Sequence, residues 1–317
     1  MRNKKDLSLA SDKTESEDRV VIIRDMSHAE PTGAGSTAVD HLREVAAGDR
    51  FEFGENWTRF LAVINDERIR QAEQSMSAML GFPLAGKSFI DVGSGSGLFS
   101  LVARRMGARV LSFDYDAKSV ACTRELKRRY FTDDPLWTVQ QASALDRAHL
   151  SSLGKFDVVY SWGVLHHTGA MWQALENVTG LVAAGGTLFI AIYNDQGKIS
   201  RRWTRVKKFY NRSPKPVRFL CAAGSCGVLW WRRWLKDLLR LRPLESWKSA
   251  GRARGMSAWR DVVDWVGGYP FEVARPEEIF DFYRKRGFVL EKMRTEGGDL
   301  GCNEFVFTKT GHGNGVS

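Results

Sequence analysis

The chain has 317 residues, of which 43% are hydrophobic and 26% are charged. This is the composition of a globular protein, and it excludes a collagen-like or wholly disordered chain. The length predicts about two domains, or one α/β core with an appendage. The four cysteines are too few and too scattered for a disulfide framework, which favours a reducing, cytoplasmic location.

The net charge of +10 comes from one segment of the chain. Residues 196–260 contain 18 basic and 2 acidic residues, so this segment carries +16 and the remainder carries −6. The same segment holds six of the eleven tryptophans. No apolar run reaches the ~18 residues of a transmembrane helix. Residues 1–20 lack the apolar run of a secretory signal, so none is predicted.

The elements before the glycine-rich region are helical. Residues 1–45 are polar and show no sustained periodicity, so they are predicted to form a largely disordered tail. Residues 46–85 are predicted to form a helical lead-in, because the apolar spacing between Trp57 and Leu80 suits one or two amphipathic helices.

Strands and helices alternate in the predicted core, residues 86–195. This alternation is typical of right-handed βαβ units in a doubly wound α/β sheet. The predicted strands are 87–92, 108–113, 136–141, 156–162 and 187–193, and the predicted helices are 98–106, 117–130 and 170–181.

The alternation stops at residues 196–268, which are predicted to form a basic, tryptophan-rich helical insertion. Residues 269–310 then complete the core sheet. Pro276 opens a helix there, since proline suits the first helical turn. Residues 288–295 and 304–308 follow as two strands joined by a glycine-rich connection. Residues 311–317 form a second tail.

A glycine-rich motif follows the first predicted strand. It places Asp91 ahead of Gly93, Gly95 and Gly97 in a D-x-G-x-G-x-G pattern. Glycine lets the backbone turn sharply and approach a ligand without a Cβ in the way. A dinucleotide fingerprint would need its third glycine at position 98, which is Leu98. The carboxylate of Asp91 suits a cationic amino acid moiety better than a pyrophosphate.

A second acid pair follows the next strand. A carboxylate at this position can accept both hydroxyls of a ribose. Asp114 is favoured for this role, because it comes directly after the apolar run, whereas Asp116 suits the cap of the next helix.

These motifs, in this order, resemble the class I S-adenosylmethionine-dependent methyltransferases over residues 57–308. The matching features are the glycine motif, the acid after strand two, the F-D-V-V run at 156–159 and the Gly185-Gly186 pair. The resemblance implies a seven-stranded Rossmann-like sheet with the last strand antiparallel. It also implies S-adenosylmethionine as the cofactor and methyl transfer as the activity.

The lead-in resembles that of the O-methyltransferases of ubiquinone biosynthesis, through Trp57, Phe60 and the I-N-D-E-R run at 64–68. This resemblance implies that Arg68 binds the cofactor carboxylate, although a solvated helix face is an equal alternative. The family often has an acid after strand three that binds the adenine. Here Ser143 or the adjacent backbone takes that role.

Two adjacent histidines follow the fourth strand, where open α/β sheets place their sites. His167 is the first candidate for a general base and His166 the second, because imidazole titrates near neutral pH. The alternative is a histidine satisfied by the next helix. Related enzymes often carry Glu-His here with a suspected metal role. Because His166 replaces the glutamate, a divalent-metal site is not expected.

Tyr193 and Asp195 follow the fifth strand, where they could bind the substrate or orient a histidine. A polar loop is the alternative. The acceptor is expected to be a small molecule, a sugar or a lipid-linked hydroxyl, and the preference for oxygen rests on the resemblance alone. The sequence does not determine the oligomeric state.

The insertion has three interpretations. Residues 219–231 are thirteen residues without a charge, between Arg218 and Arg232. Such a stretch can lie in a membrane interface, so residues 196–260 could form a lid in peripheral contact with the inner membrane surface. A helical cap packed on the core is the equal alternative. Nucleic acid is less favoured, because residues 161–164 lack the Asn/Asp-Pro-Pro-aromatic tetrad of base methyltransferases. A membrane-binding protein with a non-catalytic cofactor fold is a further alternative.

Overall fold

The computed structural model describes residues 34–240, 242, 246–247, 258–297 and 300–311. The predictions for residues 1–33 and 312–317 lie outside the described part of the chain.

Seven strands form one sheet in the order β3-β2-β1-β4-β5-β7-β6. The first five strands are parallel, and β7 runs antiparallel to both β5 and β6. The predicted fold class is therefore confirmed. The strands are β1 Ser88–Val92, β2 Arg109–Asp114, β3 Trp137–Gln141, β4 Phe156–Trp162, β5 Val182–Tyr193, β6 Phe288–Arg294 and β7 Cys302–Lys309.

The fifth strand begins earlier than its sequence predicts. Phe156 pairs with Val182, but Val158 pairs with Thr187, so β5 bulges between these two pairs. Gly185 lies in this bulge with a φ of +71°. The Gly185-Gly186 pair therefore bends the strand and does not form a turn that precedes it.

The helices pack on both faces of the sheet and at the carboxyl ends of the strands. A short 3-10 turn, Leu165–His167, follows β4. The helices are α1 Ala34–Ala47, α2 Gly54–Phe60, α3 Asp66–Leu80, α4 Leu98–Arg105, α5 Ala117–Tyr130, α6 Arg147–Ser152, α7 Met171–Thr179, α8 Lys198–Arg212, α9 Lys215–Leu239, α10 Ala258–Gly267 and α11 Pro276–Arg284.

The helix α1 corrects the prediction of a disordered tail up to residue 45. Its packed face is not its apolar face, because Val39 and Leu42 are exposed whereas the His41 side chain is buried. The His41 ring packs edge-on against Tyr115, with 5.2 Å between the ring centroids. The helix is therefore anchored by a polar ring that periodicity does not reveal.

Two apolar layers enclose the sheet, because successive side chains of a strand point to opposite faces. Ile90 and Val159 belong to the layer beneath α7 and α11, whereas Phe89 and Val158 belong to the layer beneath α3 and α4. Both faces of the central strands are buried, as expected for parallel strands.

In its described residues, the insertion contains the helices α8, α9 and α10, which share a third apolar cluster. Its buried members include Tyr210, Cys226, Trp230 and Val262. In the part of the chain that the structure describes, no helix has the length and apolar character needed to cross a membrane.

The insertion holds the chain that follows α1 against the core. We call residues 48–60, which include α2, the cover segment. Arg212 donates to the Asp49 carboxylate at 2.6 Å. The Phe51 ring lies so close to Gly267 that a Cβ there would be 2.2 Å from it. The cover segment is thus enclosed between the insertion and the carboxyl ends of the strands.

Candidate functional site

The glycine motif turns the chain from β1 into α4. Gly93, Gly95 and Gly97 have φ angles of +82°, +55° and +82°, the left-handed region that favours glycine. The Gly93 and Ser94 amides both donate to the Phe113 carbonyl, at 2.9 and 3.0 Å. These bonds fix the loop beside the end of β2, and Gly97 caps α4.

Asp114 lies at the end of β2, directly across from this loop. One of its carboxylate oxygens accepts the Gly95 N–H at 2.9 Å, and the other accepts the Asp116 N–H at 2.9 Å. Burial raises the pKa of Asp114 to about 6, and these two N–H groups oppose the rise. The structure therefore brings Asp114 and the glycine loop together, as the sequence predicts.

Asp91 lies near the end of β1, and its carboxylate belongs to a buried chain of hydrogen bonds. The Ser100 hydroxyl donates to its carboxylate at 2.5 Å, and the Ser112 hydroxyl donates to Ser100 at 2.7 Å. The Trp137 indole N–H donates in turn to Ser112 at 2.9 Å. Burial raises the pKa of Asp91 to about 7. Asp91 therefore ties the glycine motif to the interior of the sheet.

The cover segment closes over the glycine loop. Asp116 caps α5 by accepting the Lys118 N–H at 2.8 Å, and its other oxygen accepts the Gly54 N–H at 2.7 Å. The Trp57 ring lies against Gly95, because a Cβ on Gly95 would be 3.2 Å from the ring. Asp116 is thus the predicted helix cap, and it also anchors the cover segment.

A cleft of about 460 Å³ lies beside the ends of β2 and β3. Ser143, predicted near an adenine, follows β3 here, and its hydroxyl accepts the Leu145 N–H at 3.1 Å. Asp146, which the sequence analysis does not single out, lines the cleft. The lining residues are Thr37, Ala117, Val120, Arg124, Gln140, Gln141, Ala142, Asp146 and His149.

His167 lies in the turn after β4 and is buried. Its Nδ1 is 2.6 Å from the Pro270 carbonyl oxygen, which can only accept, so Nδ1 carries the proton. Nε2 of the neutral ring therefore keeps its lone pair. Burial lowers the pKa of His167 to about 3, with smaller contributions from the charges of Lys207 and Arg50.

His166 has the opposite arrangement. The Tyr193 N–H donates to its Nδ1 at 3.3 Å, so the neutral ring carries its proton on Nε2. Burial lowers the pKa of His166 well below its ordinary value. The Tyr193 ring packs 4.0 Å from the His166 ring and 5.5 Å from the His167 ring. Tyr193 is therefore beside both histidines.

The side chains of two predicted residues do not reach the histidine pair or the glycine loop. The Asp195 carboxylate accepts the Gly197 N–H at 2.8 Å, and its main-chain N–H donates to the Ala274 carbonyl at 3.1 Å. The Arg68 N–H donates to Asn65, the cap of α3. In the described part of the chain, the Arg68 side chain forms no hydrogen bond or ion pair.

Several residues at the site are absent from the sequence predictions. Arg50 donates to the His167 carbonyl at 2.7 Å, and Asn56 donates to Asp264. Lys207 of α8 is fully buried beside the Trp265 and Phe271 rings. These residues lie far apart in the chain, and no local motif connects them. The concentration of tryptophan and basic residues in 196–260 is the feature of the sequence that indicates a distinct role for this region.

Residues 90–188 match the family model described as a methyltransferase domain. The matched region runs from β1 into β5, and it contains the glycine loop, Asp114 and both histidines.

The chain contains a methyltransferase domain.

Curated relatives match part of the chain at low identity. A ubiquinone biosynthesis O-methyltransferase of Rhodopseudomonas palustris is 26% identical over 140 residues, which are 44% of this chain and 51% of the relative. The protein of the same name from Brucella ovis is 29% identical over 113 residues, which are 35% of this chain and 43% of the relative. The chain thus spans about half the length of the curated relatives it matches.

A solved structure shares the fold of the methyltransferase domain. It is an O-methyltransferase family protein from Burkholderia thailandensis, with 13% identity and a TM-score of 0.50. The similarity covers 86% of this chain and 68% of that one.

Proposed function

We propose that this protein transfers a methyl group from S-adenosylmethionine to an acceptor hydroxyl, with His167 as the general base. The contact of His167 with Pro270 supports this role most directly. It holds the proton on Nδ1 and leaves the Nε2 lone pair available.

The cofactor assignment is supported by the donors and the space at the ends of β1, β2 and β3. The Asp114 carboxylate suits two ribose hydroxyls, and the left-handed glycines keep their side of the loop free of Cβ atoms. The neighbouring cleft suits the adenine, with Ser143 beside it. Asp91 suits the ammonium of the methionine moiety, and Arg68 suits its carboxylate. These residue roles are proposals.

S-adenosylmethionine supplies a methyl group on a cationic sulfur; the O–CH3 bond forms as the S–CH3 bond breaks, and its electron pair returns to sulfur. The chain must then orient the acceptor and remove its proton. His167 accepts that proton at Nε2 and releases it to solvent. Tyr193 contributes an aromatic wall beside both histidines, and Asp195 orders the loop that follows it.

The acceptor that suits this site is a small-molecule or lipid-linked phenol. Burial and, to a smaller extent, the charges of Lys207 and Arg50 lower the pKa of His167, and the Pro270 carbonyl opposes them. No carboxylate hydrogen-bonds to it in the described part of the chain, so no anionic partner there stabilises an imidazolium. Such a weak base requires an acidic hydroxyl, which a phenol provides better than a sugar.

The test uses methyl-labelled S-adenosylmethionine, the purified protein and a lysate of the organism that makes it. The products are separated into organic-soluble, aqueous, protein and nucleic-acid fractions. Label in the organic fraction supports a lipid-linked or aromatic acceptor. Label in the RNA fraction alone would contradict the proposal in favour of an RNA methyltransferase, and absence of label in every fraction would contradict catalysis.

We expect His167→Ala to slow methyl transfer by about 100-fold or more, since general-base catalysis typically contributes that factor. Binding of S-adenosylhomocysteine, measured by calorimetry, should stay within about twofold of the wild type. Glu291→Ala is the control, because Glu291 is exposed on β6, at an edge of the sheet away from the histidine pair and the cleft. Full activity of His167→Ala would exclude His167 as the base.

We also propose peripheral contact of the insertion with an anionic membrane surface. One face of α9 presents apolar side chains to solvent at helical spacing, and basic residues flank it. The exposed apolar residues of this face are Leu220, Val228, Trp231, Leu235, Leu238 and Leu239. The flanking basic residues include Lys215, Arg218, Arg232, Arg233, Lys236 and Arg240. Anionic lipid complements this charge.

Co-sedimentation with phosphatidylglycerol vesicles tests this contact. We expect the protein to sediment with these vesicles at low salt, and less with neutral vesicles. The double variant Trp231→Ser, Leu235→Ser should bind severalfold less, because it removes apolar area from the exposed face. Trp172→Ser is the control, since Trp172 is an exposed tryptophan on α7. Recovery of all wild-type protein in the supernatant would contradict the membrane contact and favour a helical cap.

A further inference from the structure

Two buried N–H groups near the histidine pair lack an acceptor. Among the residues that the structure describes, Nε2 of His166 and Nε1 of Trp265 have no hydrogen-bond partner. His166 donates at Nε2, because its Nδ1 already accepts the Tyr193 N–H. Buried polar groups in proteins are nearly always paired, so each unpaired group requires an explanation.

Lys207 adds a buried cation to the same region. Its side chain is fully buried, and its Nζ donates to the Trp265 carbonyl oxygen. The ammonium lies 4.3 Å from the centre of the Trp265 ring and 4.6 Å from the centre of the Phe271 ring. A lysine ammonium has three N–H donors, and only one of them has a hydrogen-bond acceptor among the described residues.

Among the described residues, no acid compensates this charge by direct contact. Asp264 is the acid whose charge acts on Lys207, but the two form no ion pair in the described part of the chain. The Asp264 carboxylate accepts the Asn56 side-chain N–H. Arg50, the other cation near the histidines, is paired with Glu44 and donates to the carbonyls of His167 and Thr168. The described part of this region therefore has more donors than acceptors, and Lys207 is its cation without an acidic contact.

The Tyr193 ring connects these groups. It is 4.0 Å from the His166 ring, 5.4 Å from the Trp265 ring and 5.1 Å from the Phe271 ring. The imidazole and the indole thus flank one aromatic side chain at the end of β5, and the ammonium lies against the Trp265 and Phe271 rings beside it. We call His166, Lys207 and Trp265 the donor cluster.

We propose that the donor cluster binds a carboxylate. Neutral and cationic N–H donors in a dry site are the usual partners of an oxyanion, and the surrounding rings strengthen such bonds by excluding water. His167 packs against His166, with 4.5 Å between the ring centroids, so an acceptor held here would lie beside the base. The identification of this carboxylate as part of the acceptor rests on the proposed function; binding of the anion does not.

Calorimetric titration of the cofactor-free protein with benzoate tests the proposal. Burial lowers the pKa of Lys207 to about 7, so the titration is made at pH 6, where the ammonium is charged. We expect millimolar or tighter binding by the wild type. Lys207→Met should weaken the affinity at least tenfold, and Lys207→Arg should restore part of it because it keeps the charge.

Two control variants separate recognition from general damage. Lys208→Met removes an exposed charge from the same helix, and it should bind benzoate as the wild type does. Trp265→Phe and Trp234→Phe each remove an unpaired indole N–H, but only the first belongs to the donor cluster. We expect a severalfold loss of affinity for Trp265→Phe and none for Trp234→Phe. This pair also serves as the test if Lys207→Met fails to fold.

Absence of benzoate binding by the wild type at 50 mM would overturn the proposal. Equal affinity of the wild type, Lys207→Met and Trp265→Phe would overturn it as well. The outcome is independent of catalysis, because His167→Ala should keep its benzoate affinity even if it loses methyl transfer. A protein that binds benzoate but transfers no methyl group would contradict the proposed function alone.

Discussion

Asp114 illustrates how one side chain can serve both the loop and a ligand. Its two oxygens already accept the N–H groups of Gly95 and Asp116, yet each oxygen of a carboxylate can accept a second bond. A ribose bound here would therefore meet a carboxylate that is fixed in place before the ligand arrives.

Asp114→Ala should weaken S-adenosylhomocysteine binding by about 1–3 kcal/mol, the usual cost of losing hydrogen bonds to a charged group. The measurement is calorimetry at constant pH. Asp157→Ala is the control, because Asp157 accepts the Ser88 N–H at 2.8 Å near the start of β1 and β4, away from the glycine loop. Equal affinity of Asp114→Ala and the wild type would refute the ribose assignment.

The residues that local motifs identify lie at the carboxyl end of a strand or in the turn that follows it. Gly93, Asp114 and His167 could be predicted, because each comes at the end of a strand that its own neighbours define. Lys207 and Trp265 could not be predicted. Their contact depends on how α8 and α10 pack, and no periodicity links positions 58 residues apart.

At the scale of elements, the sequence located the seven strands but not the bulge in β5 or the helix α1. The Gly185-Gly186 pair suggests a turn equally well, and only the pairing of Phe156 with Val182 shows that the strand continues through it. In α1 the exposed side chains include Val39 and Leu42 and the buried ones include His41, so an apolar pattern does not identify its packed face.

Two left-handed glycines, one crowded and one in open space, should differ in the cost of substitution by alanine. Gly93→Ala should destabilise the protein by about 1–2 kcal/mol for the backbone, and by a further ~1–3 kcal/mol for overpacking. The second cost arises because its Cβ would lie 2.3 Å from Val164. Gly185→Ala has a similar φ but no atom within 4 Å, so only the backbone cost applies.

Chemical denaturation of both variants measures this difference. We expect the midpoint of Gly93→Ala to fall well below that of Gly185→Ala, with similar slopes. Equal loss of stability in the two variants would show that Val164 moves aside at no cost.

Across the whole molecule, the cover segment joins the glycine loop and the start of α5 to the insertion. It contacts the glycine loop through Trp57, α5 through Gly54 and α10 through Asn56. Ligand binding beneath it should therefore stabilise a segment that lies outside the matched methyltransferase domain.

Hydrogen exchange checks this expectation. S-adenosylhomocysteine should slow amide exchange in residues 52–60 by about tenfold or more, because closure over the ligand suppresses local opening. Residues 288–294 of β6, at the far edge of the sheet, are the internal control and should change little. Equal protection of both regions would contradict a specific role for the cover segment.

The distance along the chain between the cover segment and the insertion constrains the order of assembly on the ribosome. Asn56 and Asp264 are 208 residues apart. At ~5–20 residues per second, Asn56 is made about 10–40 s before its partner exists. During that time the aromatic side chains of the cover segment have only the core to pack against. Strands β1 to β5 and the glycine loop are made during that interval, whereas β6 and β7, which complete the sheet, follow Asp264 in the chain. The contact that holds the cover segment against α10 can therefore form only after the glycine loop and the first five strands have been made.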